Sequence, residues 1–446
     1  MMKFLFRLTY FGSPLALITL LLITNTAKYS SLNYLLPMIL GVFSYTWLLW
    51  QFVLSARPKF IEKHFGLDKL YRFHGIMAIV AISTVILHKT LFERFFPENV
   101  QTTLGSIALF LFASITLLSL IFMSSSVLRK LPVFSDIVKI LNSIKVITYE
   151  RIKLIHNLTF IALMFMQVHV LFTSSARNNP IIFQAYMGYF FLAVSFYLYH
   201  KFLKPWFLDG KRYYVSQLIN ESNDTLTIEL SPKSGRVLKY HAGQFGFFKV
   251  LKEGMSSEEH PFSISSSPVN HSHITITVKS LGDYTQSLKQ LTIGDEVTVD
   301  APYGRFSYTA FNKENATVFV AGGVGITPVL SMMQYMNKMD EHRKVLLIWS
   351  VKKQTDLIRM AELKSYETQM PNFKCVPIVS SDASWQGESG RLDAIKLKSL
   401  LEANGFTTEK TGYFVCGPQN LMYMTLLSLK QMGIAKKQIH FEQFTV

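Results

Sequence analysis

The sequence predicts a multi-domain fold: a six-helix transmembrane bundle, then an antiparallel β-barrel domain, then a doubly wound α/β domain. Six apolar stretches, each long enough to cross a bilayer, all lie before Lys201. Short alternating runs separated by turn residues come next, as in antiparallel barrels. Strands alternating with helices then continue to the C-terminus, as in a parallel sheet. The predicted domains are residues 1–205, 210–310 and 314–446.

The apolar stretches account for an unusual composition. The chain is 49% hydrophobic with a mean hydropathy of +0.24, which excludes an ordinary soluble protein. The N-terminal stretch is interpreted as an uncleaved first span, because no small-residue cleavage site follows it. The predicted spans are residues 8–24, 34–54, 72–92, 104–123, 152–173 and 181–200.

Topology explains the net charge of +16 better than nucleic-acid binding does. The loops "ARPKFIEKHFGLDKLYR" and "LRKLPVFSDIVKILNSIKVITYERIK" are rich in Lys and Arg, whereas "NTAKYSSL" and "TSSARNNP" are not. Basic loops stay cytoplasmic, so both termini and the soluble half are predicted to face the cytosol from a plasma or inner membrane. Only two cysteines occur, Cys375 and Cys416, which fits a reducing compartment.

Two predicted spans carry a histidine near each end. His74 and His88 lie in span three, fourteen residues apart, which is about 21 Å along a helix and within about 40° of the same face. His156 and His169 lie in span five, thirteen residues and about 20 Å apart. Their angular match is poor in an ideal helix, so a bend or a local π-type irregularity is required to align them.

The four histidines indicate two stacked b-type haems, each bound by one histidine from each span. Imidazole is a good axial ligand for haem iron. The alternatives are interhelical hydrogen bonds and a proton relay. The two pairs match in depth and spacing, which favours haem.

Two segments of the predicted barrel suit a flavin. In "EEHPFSISSSP", an aromatic ring, a hydroxyl and a proline at a barrel edge can hold a flat ring, with Ser263 placed to bond a ring nitrogen. In "VKSLGDYTQSL", a turn predicts a helix from Tyr284 to Leu291, whose first N–H groups and Thr285 suit a pyrophosphate. An ordinary strand start and an ordinary capped helix are the alternatives.

The glycine turn "GGVGITP" follows the first strand of the predicted parallel sheet, where such folds bind nucleotides. Its glycines let the backbone approach a phosphate, and its Thr and Pro suit a helix cap and first turn. The residues are Gly322, Gly323, Gly325, Thr327 and Pro328.

Two further positions concern the nucleotide. Lys352 and Lys353 follow the second strand, where a cation accepts a 2′-phosphate, which favours NADPH over NADH; a solvated loop is the alternative. Cys416 ends a strand at the carboxyl side of the sheet, where a nicotinamide lies, although a small buried thiol is also common there.

Together these segments closely resemble the ferric reductase and NADPH oxidase superfamily over about residues 35–446. The resemblance rests on "LDKLYRFHG", "YERIKLIHNL", "HPFSISSSP", "GGVGITP", "CGP" and "FEQF" in family order. It implies haem ligation by His74 with His156 and by His88 with His169. Ser263, Cys416 and the flavin-stacking Phe444 are the implied catalytic residues.

The resemblance also implies two nucleotide cofactors in the soluble half. The FAD site would comprise His260, Pro261, Phe262 and Ser263, with the pyrophosphate near Lys279, Gly282, Asp283 and Thr285. NADPH would lie on the "GGVGITP" residues, with Cys416, Gly417 and Pro418 beside the nicotinamide.

The implied function is transmembrane electron transfer from cytosolic NADPH, through FAD and two haems, to a small acceptor outside. Oxygen giving superoxide is favoured, and a ferric chelate is the alternative. One departure concerns oxygen: relatives that reduce it usually place a second histidine where this chain has Phe92. A proton channel or transporter with a regulatory nucleotide domain is the alternative of another class, although no repeats or intramembrane carboxylates support it.

Overall fold

The computed structural model describes residues 2–24, 29, 31–122, 149–208, 211–256, 258–311, 314–406 and 410–442. The chain divides into two compact units, Met1–Lys204 and Pro205–Val446. Most of the basic loop predicted between spans four and five lies outside the described residues, as does Phe444.

The six predicted apolar spans are confirmed as helices, and each is long and apolar enough to cross a membrane. Spans one to four are Met2–Thr24, Leu32–Ser55, Leu67–Glu93 and Val100–Phe122. Span five comprises Tyr149–Asn157 and Thr159–Leu171. Span six is Pro180–Leu198, which continues as a π-helical turn over Tyr199–Leu203.

Span five is interrupted at Leu158, between its two histidines. The Leu158 N–H bonds the carbonyl of Ile155, three residues back, and the Thr159 hydroxyl donates to the carbonyl of His156. These bonds replace regular helical bonds, because an unpaired carbonyl in an apolar bundle is costly. The span therefore consists of two helical segments with a joint between them.

Polar side chains inside the bundle link spans two, five and six. Tyr45 and Gln167 are each 3% exposed, and the Tyr45 hydroxyl lies 2.8 Å from Gln167 Oε1 and 2.9 Å from the carbonyl of Tyr186. Such groups must find partners within the bundle, because apolar surroundings offer none. The interior around them is apolar, with Leu17, Ala162 and Leu163 almost fully buried.

The first soluble domain is a curled antiparallel sheet of six strands. In space the order is β4-β3-β6-β1-β2-β5. The two edge strands are not paired along their length: an isolated bridge between Ile264, just after β4, and Ile276 on β5 joins them. The predicted barrel is therefore only partly closed, because the chain leaves β4 after four residues. The strands are β1 Arg212–Ser222, β2 Thr225–Pro232, β3 Phe245–Val250, β4 His260–Ser263, β5 Ile274–Lys279 and β6 Glu296–Tyr303.

The second soluble domain is a parallel sheet of six strands in the order β10-β9-β8-β7-β11-β12. Its central strands are almost fully buried, as expected for a sheet covered by helices on both faces. The order reverses between β7 and β11, which makes their carboxyl ends the topological switch point. The strands are β7 Ala316–Gly322, β8 Lys344–Val351, β9 Phe373–Val379, β10 Glu388–Ser389, β11 Thr411–Cys416 and β12 Ile439–Phe441.

The central position of β8 gives a stability prediction. Ile348 is fully buried, whereas Ile395, in the helix Ala394–Ala403, is 82% exposed. We expect Ile348→Ala to lower the free energy of unfolding of the soluble unit by about 2–5 kcal/mol, because it leaves a cavity. Ile395→Ala makes the same chemical change and should stay within about 0.5 kcal/mol of the wild type. Urea unfolding of the full chain in detergent would measure both; equal effects would contradict the packing described.

Candidate functional site

The structure brings the four span histidines together in two pairs. The ring centroids of His74 and His156 lie 6.3 Å apart, with the planes at 58°. Those of His88 and His169 lie 6.4 Å apart, with the planes at 81°. Each pair therefore joins span three to span five, and all four rings are partly buried.

Both separations suit an iron atom between two imidazole rings. Two metal–nitrogen bonds of about 2 Å, plus about 1.1 Å from each nitrogen to its ring centre, give roughly 6 Å between centroids. Among the described residues, no group of three or more His, Cys, Asp or Glu side chains could hold a metal ion. A haem requires only two axial ligands from the protein, since the porphyrin supplies the rest.

Hydrogen bonds set the proton position in the outer pair. His88 Nδ1 lies 2.7 Å from the carbonyl oxygen of Pro37, and His169 Nδ1 lies 2.7 Å from that of Gln101. A carbonyl oxygen can only accept, so each Nδ1 carries the hydrogen. The Nε2 lone pair of each ring is then free to bind a metal.

The inner pair is held differently. His156 Nδ1 lies 3.0 Å from the Ser119 hydroxyl, which itself donates to the carbonyl of Ile115 at 2.8 Å. Because that hydroxyl has a single hydrogen, Ser119 accepts from His156 Nδ1, and Nε2 of His156 is again the unprotonated atom. His74 Nδ1 is buried and has no hydrogen-bond partner among the described residues.

Aromatic rings and a lysine lie next to the outer pair. The Phe92 ring lies 6.2 Å from that of His88 and 4.6 Å from that of Phe96, which lies 4.4 Å from Tyr34. Lys89 follows His88 and donates to the Ser106 hydroxyl at 2.8 Å. Three aromatic rings, those of Phe92, Phe96 and Tyr34, thus form a chain of contacts beside His88.

In the predicted flavin segment, the aromatic rings form a stack. His260 and Phe262 lie on β4, and the Tyr284 ring stacks on both, with centroids 3.4 and 6.4 Å away. Burial raises the pKa of Tyr284 to about 12, so its hydroxyl stays protonated. Ser263 is 7% exposed and pairs with Phe245 on β3. Pro261 pairs with Phe247 on the same two strands.

Residues predicted near the pyrophosphate have protein partners. Lys279 Nζ lies 2.8 Å from Asp356 Oδ1 and 3.1 Å from Asp224 Oδ2. The Thr285 hydroxyl accepts from the N–H groups of Leu281 and Gly282, both at 2.9 Å. The helix runs only over Asp283–Ser287 rather than from Tyr284 to Leu291, because a 3₁₀ turn follows it. Pyrophosphate binding by this segment stays a prediction.

The sequence did not identify the contacts that join the two soluble domains. Tyr240 and Ser331 both donate to the carbonyl of Ser266, from the first and second domain respectively. Gln334 accepts from the Ser267 N–H at 2.9 Å. The serines of "HPFSISSSP" beyond Ser263 thus bond to other parts of the protein. Their small polar side chains were the only sequence signal of such contacts.

Two glycine-containing turns lie against each other at the switch point. A Cβ on Gly325 would come within 2.5 Å of the carbonyl oxygen of Cys416, and one on Gly417 within 2.9 Å of the Gly322 backbone. Pro418 packs against Gly322, because a Cβ added to Gly322 would lie 2.8 Å from the Pro418 side chain. Only glycine permits this approach of the ends of β7 and β11. The predicted dinucleotide turn and the "CGP" segment therefore occupy one place.

The start of the following helix differs in detail from the prediction. Gly323 has φ +51°, and a 3₁₀ turn over Gly323–Ile326 leads directly into the helix Thr327–Lys338. Thr327 is therefore the first helical residue rather than the cap, whereas Pro328 lies in the first turn as predicted. Lys352 and Lys353 are exposed after β8, where the Lys353 N–H donates to Asp356.

Cys416 lies in an environment that suppresses its reactivity. The side chain is fully buried, and burial, with a smaller contribution from the negative charge of Glu442, raises the pKa of the thiol far above its usual range. A Cβ on Gly304 would meet Glu442 Oε1 and Phe245, which places this carboxyl group near the strand that pairs with Ser263. Glu442 lies in the terminal "FEQF", from which only Phe444 was predicted to act.

The burial of both cysteines gives a labelling prediction. Burial also raises the pKa of Cys375 to about 12, so neither thiol ionises appreciably at pH 8. We expect iodoacetamide to modify neither Cys375 nor Cys416 in the native protein, because the thiolate is the nucleophile. Peptide mass spectrometry would measure this, with urea-denatured protein as the control in which both react. Labelling of Cys416 in the native state would contradict its position.

Family models and known proteins match the soluble half. A model described as an FAD-binding domain matches residues 212–327, and one described as an oxidoreductase NAD-binding domain matches residues 319–426. The flavohemoprotein of Rhizobium meliloti is 27% identical over 252 residues, which cover 53% of this chain and 60% of that protein. The electron transfer component of anthranilate 1,2-dioxygenase from Acinetobacter baylyi is 23% identical, covering 51% and 64%.

A solved structure gives a further match. The flavohem-like FAD/NAD-binding domain of nitric oxide dioxygenase from Vibrio cholerae is 24% identical with a TM-score of 0.47, covering 53% of this chain and 98% of that one. The chain spans about 60% of the length of the curated relatives it matches first. Together, the two family models cover most of the two soluble domains described above. Residues 212–426 therefore form an FAD- and NAD-binding module of the oxidoreductase, electron-transfer kind.

Proposed function

We propose that the protein is a transmembrane oxidoreductase that passes electrons from cytosolic NADPH, through FAD and two b-type haems, to an acceptor on the other side of the membrane. Each turnover would convert NADPH and two oxidised acceptors into NADP⁺, one proton and two singly reduced acceptors. The proposal extends the oxidoreductase module of residues 212–426 to the six-span unit.

The two histidine pairs carry the proposal. Their centroid separations of 6.3 and 6.4 Å are nearly equal, although different residues hold the two pairs. A direct hydrogen bond between the two rings of a pair would instead bring two ring nitrogens to about 2.9 Å. Moreover, the Nδ1 bonds of His88, His156 and His169 leave Nε2 as the unprotonated nitrogen, which is the form that binds iron.

Bound FAD would supply the conversion of a two-electron hydride donor into one-electron steps, and two haems would supply a path across the apolar layer. The histidines would hold their metal at two levels of the bundle. In the soluble unit, Ser263 on β4 would orient the flavin ring. The stack of His260, Phe262 and Tyr284 would cover part of its site.

At the switch point, the glycine turns would bind the dinucleotide backbone and bring the nicotinamide to Cys416. The thiol is neutral and buried, so it would act by contact and by excluding water rather than as a nucleophile. The carboxyl group of Glu442 lies close to Gly304 and would be a polar group near the flavin segment.

The basic loops support a cytosolic position for the soluble unit and both termini. Outward electron transfer then moves negative charge away from an inside-negative face. Each electron would release about 2.3 kcal/mol per 100 mV of membrane potential. Turnover would therefore depolarise the membrane unless a cation followed.

Oxygen, giving superoxide, is the acceptor favoured for this relay, and a ferric chelate is the alternative. Phe92 counts against oxygen, because oxygen-reducing members of the resembled superfamily usually have a second histidine at that position. Superoxide formation and ferric reduction measured side by side at the outer face would separate the two.

His156→Ala tests the relay. Removing one inner ligand should lower the reduction of an impermeant outside acceptor by at least about tenfold, because the iron loses an axial bond. Reduction of a cytosolic dye by NADPH should persist, since the soluble module is untouched. The measurement is paired kinetics in vesicles of known orientation, with a difference spectrum for haem.

His64→Ala is the matched control. His64 lies in the same unit but in the short helix Lys59–Phe65, and its ring bonds the carbonyl of Phe60. This variant should keep both activities. External reduction that survives His156→Ala, or a wild-type protein with no haem bands, would overturn the relay and favour a channel or transporter.

Lys352→Ala and Lys353→Ala test the preference for NADPH. If these exposed lysines bind the 2′-phosphate, each change should raise the KM for NADPH about tenfold while leaving that for NADH unchanged, because a charge-assisted bond is lost. Dye reduction by the full chain would measure both constants. Lys398→Ala, an exposed lysine beside Glu402, is the control. Parallel changes with both nucleotides would contradict the assignment.

A further inference from the structure

The two outer histidines are held by the same arrangement on two different helices. On span two, the carbonyl of Pro37 accepts from His88 Nδ1, and Gly41 lies under the ring. On span four, the carbonyl of Gln101 accepts from His169 Nδ1, and Gly105 lies under the ring. In each case the glycine follows the carbonyl by four residues. We call each carbonyl with its glycine a backbone notch.

Only glycine fits at the second position of each notch. A Cβ on Gly41 would lie 2.9 Å from Cε1 and 3.0 Å from Nδ1 of His88. A Cβ on Gly105 would lie 2.7 Å from Nδ1 and 2.9 Å from Cε1 of His169. Both contacts are shorter than carbon and nitrogen atoms tolerate. Each histidine is also tied to its carbonyl at 2.7 Å, so its ring cannot move aside without losing that bond.

Helix geometry explains why the two positions are four residues apart. In a helix, the carbonyl of residue i points towards the N–H of residue i+4. With glycine at i+4, the surface beside that carbonyl is bare, and an imidazole can reach the second lone pair of the oxygen. The carbonyl thus accepts a hydrogen bond from the imidazole and keeps its helical hydrogen bond to the N–H of residue i+4.

The inner pair lacks this arrangement. His156 bonds a hydroxyl, which can rotate, and His74 Nδ1 has no partner among the described residues. Among the described residues, backbone carbonyls therefore hold both rings of the outer pair, whereas in the inner pair only His156 has a hydrogen-bond partner, a side-chain hydroxyl.

We propose that Gly41 and Gly105 are positioning residues that fix the outer ligand pair, setting the tautomer, ring orientation and donor strength of His88 and His169. The inference rests on the proposed haem function. A strong bond from Nδ1–H to a carbonyl makes Nε2 a better donor, which stabilises oxidised iron. The notches therefore lower the reduction potential of the outer site.

Gly41→Ala and Gly105→Ala test the notches in the full chain. We expect each to displace its histidine, to lower haem occupancy of the outer site by about tenfold or more, and to change the low-spin EPR signal of one haem only. Where haem is retained, one of two potentials in a spectroelectrochemical titration should rise while the other stays. Haem content and potentials are independent of turnover.

Gly12→Ala and Gly188→Ala are the matched controls, because nothing lies within 4 Å of a Cβ added at either position. Glycine is unfavourable inside helices, so these changes should leave both haem signals intact and keep or increase thermal stability. If alanine acted only through its higher helix propensity, its effect would be the same in all four variants.

If the notch variants fail to fold, a measurement on the wild-type protein still tests the inference. Pulsed EPR of the oxidised protein reports the hydrogen bonding of the remote ring nitrogens, and one haem should show two strongly bonded Nδ1–H groups. Unchanged potentials in foldable notch variants, or two haems with identical remote nitrogens, would overturn the inference and leave the relay standing. A wild-type protein without haem would instead overturn the proposed function itself.

Discussion

A ring nitrogen buried without a partner in an apolar helix bundle is costly, and the arrangement of the outer histidine pair follows from this constraint. A buried polar atom without a partner costs several kcal/mol in such surroundings. His88 and His169 meet the constraint on one side through backbone carbonyls. The Nδ1 bond of each ring leaves its Nε2 as the unprotonated nitrogen. Spans two and four are held near spans three and five by the same bonds.

The soluble unit depends on a different constraint, the close approach of backbone to backbone. The turns after β7 and β11 touch because Gly322, Gly325 and Gly417 have no side chains. A dinucleotide phosphate and a nicotinamide need such a surface at the switch point of a parallel sheet. The first domain is joined to it by Ser266, whose carbonyl accepts from Tyr240 and Ser331. Flavin segment and nucleotide sheet are thus parts of one compact unit.

Periodic and local signals in the sequence were sufficient to predict the spans, most strands and the glycine turns. The apolar runs are long, and "GGVGITP" and "CGP" are local patterns at strand ends. Contacts between distant segments were not predictable. Nothing near Lys279 indicates that Asp356, far along the chain, pairs with it. Gly41 and Gly105 lie in ordinary apolar runs, and their role depends on histidines from other helices. Thr285 was expected to face a ligand, but it caps its own turn.

The interruption at Leu158 separates span five mechanically into two parts. On an unbroken helix, thirteen residues would leave His156 and His169 about 140° apart around the axis, so both could not face span three. The turn at Leu158 relieves this conflict, because the two helical segments that it joins need not share one helical phase. Span three is one continuous helix, so the distance between His74 and His88 is set by its helical rise. A substitution that rotates one segment would then displace only the histidine on that segment. The inner and outer histidine pairs can therefore change independently of each other in evolution.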